Sequence, residues 1–121
     1  MSIIDRIESP RDLDRLSYDE VAQVAAECRD VIIETITKRG GHLASNLGAV
    51  ELTLAIHRVF QSPKDRLIWD TSNQTYTHKL VTGRAKQFAS IRMTGFAVNL
   101  RTIAGMSKLC FWANFRGPKR W

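Results

Sequence analysis

An α/β arrangement, with helices layered on a short strand, is the fold class this sequence predicts, and three observations predict it. A capping signal at Ser17 opens a long amphipathic helix. A second segment, ending near Phe60, is apolar on nearly all sides. A short apolar run, Arg66-Leu67-Ile68-Trp69-Asp70, then follows a turn. Helices leading into such a run imply layers packed over a strand.

The first element is anchored by Ser17-Tyr18-Asp19-Glu20, which has the S-x-x-E spacing of a capping box, hydroxyl to amide and carboxylate back to amide. Val21, Val24, Ala25, Cys28, Val31, Ile32 and Thr35 follow at helical spacing, so one face is apolar over roughly residues 18–39. Asp19 and Glu20 begin the helix, Lys38 and Arg39 end it, and each pair offsets the dipole at its end. Gly40 supplies a left-handed C-terminal cap.

Past Gly40-Gly41-His42-Leu43-Ala44, Ser45 or Asn46 is expected to cap a helix over about residues 46–60. Its Leu47, Val50, Leu52, Leu54, Ala55, Ile56 and Val59 point to burial all round. Ser62-Pro63-Lys64-Asp65 reads as a turn and the apolar run after it as a buried strand. Gln74 to Val81 reads as a short helix with Gly83 near its end, and Arg84 to Arg92 as another. The sequence holds no internal repeat.

Composition fits one globular domain. Of 121 residues, 44% are apolar and 25% charged. The amino terminus is charged at once and no stretch reaches the length of a membrane span, which predicts a soluble, cytoplasmic protein. Cys28 and Cys110 lie 82 positions apart and match no zinc or redox spacing. The net charge of +6 is uneven. Residues 1–90 hold 12 basic and 12 acidic side chains, whereas 91–121 hold six basic ones, no acid, and both Trp112 and Trp121. A nearly neutral front, residues 1–92, is therefore separated from a basic, acid-free tail, residues 93–121.

Candidate chemistry is sparse. Gly40-Gly41-His42 leads into a helix N-terminus, where amides and an imidazole can meet an anion or move protons; the alternative is a cap followed by a loop histidine. Asp70, at the strand's carboxyl end, sits either where open α/β sheets hold ligands or as a helix cap. His78-Lys79 reads as solvated surface, and His57 as a core or edge histidine. No His, Cys, Asp or Glu spacing assembles a metal site, and nucleophile-elbow, Walker and dinucleotide motifs are absent.

Taken together, Gly40-Gly41-His42-Leu43-Ala44-Ser45-Asn46-Leu47-Gly48, Val50-Glu51-Leu52-Thr53-Leu54-Ala55-Ile56-His57, Ile68-Trp69-Asp70, and Gln74, Tyr76, His78-Lys79 and Thr82-Gly83-Arg84 resemble the N-terminal segment of the 1-deoxy-D-xylulose-5-phosphate synthases. Ile4-Asp5-Arg6-Ile7-Glu8-Ser9-Pro10 fits the same family's start. The resemblance runs from about residue 3 to residue 92. It implies part of a transketolase-like, thiamine diphosphate-binding domain, rich in helix with one or few parallel strands. It also implies magnesium as a companion ion, a homodimer, and condensation of pyruvate with glyceraldehyde 3-phosphate, with loss of carbon dioxide, at the start of non-mevalonate isoprenoid synthesis.

By resemblance, His42 is the catalytic histidine that moves protons over cofactor and substrate. Asn73 stands where the family has a cofactor-contacting histidine; its amide hydrogen-bonds but does not titrate near neutral pH. The family's Gly-Asp-Gly…Asn segment for magnesium and diphosphate, and its pyrimidine-binding domain with the activating glutamate, have no counterpart in this sequence. The expectation is an inactive, truncated relative of marginal stability or a tendency to aggregate. A shifted reading frame or an early stop would explain why the resemblance gives way where the acid-free, tryptophan-bearing tail begins. Two alternatives stay open: an interaction module that pairs with a synthase or with itself through helix 46–60, and a nucleic-acid or anionic-membrane binder acting through the tail. A tail without a selected role is the reading set against the second.

Overall fold

The computed structural model describes residues 2–62, 64–65, 67–69, 72–88 and 111–112. Helix α1 spans Tyr18–Arg39, as its sequence signals predict. Both halves of the capping box are made: the Ser17 amide donates to Glu20 Oε2 at 2.8 Å, and the Glu20 amide donates to Ser17 Oγ at 3.2 Å. The inward face is Val24, Ala25, Cys28, Ile32 and Thr35, with Val21 and Val31 packed at its margin.

Two short 3₁₀ turns precede it, Ile4–Arg6 and Pro10–Arg15. They are not loose lead-in. Ile3, Ile4, Ile7 and Leu13 are all buried in the core. Asp12 Oδ2 accepts from the amides of Glu8 and Ser9 at 3.0 and 2.9 Å, and Glu27 on α1 accepts from the Ile4 amide at 2.9 Å.

The single helix expected over 46–60 is two helices, α2 over Leu43–Gly48 and α3 over Val50–Val59. Ala49 breaks them, at φ −103° and ψ 4°. Neither Ser45 nor Asn46 is the cap; that place falls to His42, three positions before the earlier of them, whose side chain makes no capping bond. Burial all round is also overturned. Val50, Thr53, Leu54 and His57 point inward, while Leu52, Val59 and Phe60 are 59%, 73% and 54% exposed. Helices α1 and α2, the Pro10–Arg15 turn and the later helix over Tyr76–Lys79 pack against α3.

Strand β1 is only Ile68–Trp69, and it pairs with β2, Phe111–Trp112. The pairing is antiparallel, Ile68 opposite Trp112 and Trp69 opposite Phe111, where a parallel neighbour was expected. Two residues a side make a clip rather than a sheet, and among the described residues the architecture is helix-rich without an α/β layer.

A 3₁₀ turn at Ser72–Gln74 leads to α4, Tyr76–Lys79, which opens into a wide π turn over Leu80–Arg84 and closes as α5, Ala85–Phe88. Gly83 sits in this kink at φ +77°. A Cβ there would stand 2.6 Å from the Glu8 carbonyl oxygen, so glycine lets the amino-terminal strip pass. Phe88 then meets Tyr76 edge to face at 5.3 Å and closes the core. The remainder of the helix expected to Arg92, the boundary at 92/93, and all of the basic tail except Phe111 and Trp112 lie outside the described residues.

Candidate functional site

The site is built where α1 hands over to α2. Gly40 and Gly41 turn the chain with φ of +75° and +139°. A Cβ on Gly41 would stand 3.0 Å from the Tyr76 hydroxyl, so any other residue would crowd that side chain as well as strain the backbone. His42 follows with its side chain exposed. Its backbone is fixed from below: Asn46 Nδ2 donates to the His42 carbonyl at 2.6 Å.

Asn46 is 1% exposed and uses its other end as well, accepting from the Tyr76 amide at 3.1 Å. One side chain thus satisfies a loop carbonyl and the first amide of α4, groups that would be costly to leave alone in the interior. Beside it, Ser45 Oγ donates to the Asn73 carbonyl at 2.7 Å. The loop bearing His42 and the turn bearing Asn73 are therefore stitched together by consecutive residues of α2. The two predicted site residues come from one corner of the fold. Asn73 is half-buried; Asp70 lies outside the described residues.

A second polar cluster lies under α3 and α4. His57 and His78 are 3% and 0% exposed, with His57 Nε2 and His78 Nδ1 2.8 Å apart and the rings stacked at 5.0 Å. The Trp69 ring leans on His78 at 6.1 Å. This places His57 in the core, as expected, and overturns the solvated reading of His78-Lys79: Lys79 is 2% exposed, its ammonium 5.1 Å from the centre of the Tyr76 ring. All four residues of α4 are buried, so no periodicity marks an outer face. Arg84, also buried, donates from Nη2 to Thr82 Oγ1 at 2.6 Å, and that hydroxyl donates to the His78 carbonyl at 2.6 Å.

Burial sets the charge states here. It holds the His57 imidazolium down to about 4, with help from the Arg84 charge, so His57 is neutral at physiological pH. The same two causes bring the Lys79 ammonium down to about 7, and burial brings Arg84 down to about 10.

Asn46 and the histidine pair were not found as site features in the sequence. The spacing of Asn46 four residues past His42 was available, but asparagine near a helix start reads first as a cap. His57 shares helical spacing with Val50, Thr53 and Leu54, which does point it inward; nothing in the sequence pairs it with His78. Among the described residues no three His, Cys, Asp or Glu side chains gather to hold a metal.

The family profile described as 1-deoxy-D-xylulose-5-phosphate synthase matches residues 4–102, most of the chain. The chain belongs to the 1-deoxy-D-xylulose-5-phosphate synthase family.

Curated synthases agree with that placement. The one from Dictyoglomus thermophilum is 58% identical over 93 residues, covering 77% of this chain and 15% of the relative. The one from Desulfitobacterium hafniense is 52% identical over 110 residues, covering 91% and 16%. Synthase 2 of Streptomyces coelicolor is 55% identical over 95 residues, covering 78% and 15%. The chain thus spans about 15% of the length of the curated synthases it matches. The fold described above is the N-terminal portion of a transketolase-like synthase domain, and the family is thiamine diphosphate-dependent.

Proposed function

We propose that this chain forms the histidine-bearing corner of a 1-deoxy-D-xylulose-5-phosphate synthase active site, and that it serves the condensation of pyruvate with glyceraldehyde 3-phosphate only together with the rest of a synthase. The observation that carries the reading is the stitch through Ser45 and Asn46, which holds the His42 loop against the Asn73 turn.

In this reading His42 is the proton-moving side chain. It is exposed on a loop whose path is fixed by buried hydrogen bonds, so its imidazole reaches outward from a rigid base. Asn73 offers an amide where the family's histidine contacts the cofactor; it can orient a polar group but neither takes up a proton nor adds charge. The donor set among the described residues does not fit a magnesium–diphosphate group, since no three ligating side chains meet. The transketolase-like α/β layering and the homodimer belong to the same reading and require the remaining length of the relatives. No helix among the described residues is long and apolar enough to cross a membrane.

The test is a chimera in which residues 4–88 of this chain replace the matching segment of the Dictyoglomus thermophilum synthase, assayed by carbon dioxide released from pyruvate with glyceraldehyde 3-phosphate present. His42→Ala should lower the rate by roughly 10²- to 10⁴-fold, the usual range for a general acid–base group. Asn73→His should raise it. A chimera indifferent to both substitutions overturns the assignment.

A second reading, a module that docks on a synthase, is supported by the exposed Leu52, Val59 and Phe60 on α3. Light scattering of the chain mixed with a full-length synthase tests it: a 1:1 complex abolished by Val59→Lys supports docking, and unmixed species refute it.

A further inference from the structure

We infer that Asn46 is the positioning residue for His42, and that its amide works by polarity: one end aims the His42 loop while the other serves α4. This role rests on His42 being the proton-moving side chain, as proposed above.

Gly40 and Gly41 precede His42 at φ of +75° and +139°, so the chain entering it has little steric preference of its own. The His42 side chain makes no capping bond that would hold it to α2. What fixes the residue is its carbonyl, which accepts from Asn46 Nδ2 at 2.6 Å. Asn46 is 1% exposed, so water does not compete for that bond. A group that transfers protons must be held within hydrogen-bond reach of its target, and a misplacement of about 1 Å costs roughly 100-fold in rate.

The two ends of the amide are not interchangeable. Nδ2 donates to the His42 carbonyl, while Oδ1 accepts from the Tyr76 amide at 3.1 Å. Both partners are backbone groups of fixed polarity, a carbonyl that only accepts and an N–H that only donates, so the side chain has one orientation. That makes the two bonds separable by substitution. Asn46→Asp keeps an acceptor for the Tyr76 amide but turns a second acceptor toward the His42 carbonyl, which repels it. Asn46→Ser does the reverse. Residue 46 lies four positions after 42, and a serine hydroxyl at that spacing bonds back to the carbonyl, so the loop bond is kept and the bond to α4 given up. If Asn46 only tied α4 down, the serine would be the more harmful change; if it aims His42, the aspartate is.

The experiment measures kcat and KM for pyruvate in the chimera carrying residues 4–88, at about pH 8, where an aspartate is ionised. Asn46→Asp should lower kcat roughly 10- to 100-fold with KM little changed. Asn46→Ser should rescue the rate, running at least severalfold faster than Asn46→Asp. In the His42→Ala background Asn46→Asp should cost nothing further, because no imidazole is left to aim. A loss of folded protein would instead lower the rate by the same factor in both backgrounds. A chimera insensitive to His42→Ala overturns the role of His42 and that of Asn46 with it. A chimera that is sensitive to His42→Ala leaves His42 in place and overturns Asn46 alone under any of three results. These are no effect of Asn46→Asp, an equal loss with Asn46→Ser, or the same Asn46→Asp loss in both backgrounds.

Discussion

His42 and the pair His57–His78 put one side-chain type in two opposite settings. At residue 42 the imidazole is exposed, and the structural work is done by its backbone, held through Asn46. At 57 and 78 the imidazoles are the structure: buried, stacked and bonded to each other. The difference teaches that a histidine's role is set by what lies one turn away. Glycines before His42 leave it on a loop, whereas Val50, Thr53 and Leu54 carry His57 inward.

The largest expected effect is on the residue that supports the exposed histidine. Asn46→Ala removes both bonds of a fully buried side chain and leaves a carbonyl and an amide without their partner, which should cost about 3–4 kcal/mol in urea unfolding. A loss below about 1 kcal/mol would show that the His42 loop holds itself.

The buried pair should be broken by acid instead. The folded-state pKa of His57, about 4, lies below the ordinary value of 6.5. Between those values the unfolded chain binds more protons than the folded one. Its contribution is then complete above about pH 6.5 and is lost as pH falls toward 4, by up to about 3 kcal/mol. Unfolding measured across that window should show the slope, and His57→Gln should flatten it; an unchanged slope means that other groups carry it. Lys79 acts in the same sense in a separate window, between about 10.5 and about 7.

Gly41→Ala sharpens the comparison at its loop side. The positive φ and the nearby hydroxyl should together cost about 2 kcal/mol. Tyr76→Phe should return part of that loss, because the clash is with Tyr76 Oη. No coupling between the two changes would place the whole penalty in the backbone. The smallest effect is expected from Ser45→Ala, about 0.5–1 kcal/mol. Its sharper mark is faster amide exchange confined to residues 72–74, which that hydroxyl ties down.

The sequence carried α1 in full because every local signal agreed: a capping box, dipole-matched ends, an apolar stripe and a terminal glycine. The split between α2 and α3 was hidden, since Ala49 has no breaking tendency of its own. There Asn46 reaches back to the His42 carbonyl and Thr53 Oγ1 to the Ala49 carbonyl at 2.6 Å, local side-chain choices that hydrophobic periodicity does not register. The setting of His42 left it open as a proton-moving or a plain loop histidine, Asn73 was singled out only through family resemblance, and their shared corner became visible through Ser45. The burial of Lys79 was illegible: a lysine beside a histidine reads as surface until the elements packed around it are known.

The meeting of Gly83 with the Glu8 carbonyl has a consequence for the order of assembly. Ile3, Ile4 and Ile7 share a core with Leu80, Val81 and Phe88, although nearly the whole neutral region separates them along the chain. During synthesis, residues 3–7 can lean on α1 early, through the Ile4–Glu27 bond, but Leu80, Val81 and Phe88 follow much later along the chain. Residues 3–7 therefore wait for the kink. Until it arrives, three isoleucines stay within reach of any other apolar surface, and closing so long a loop is the slow step that releases them from that risk.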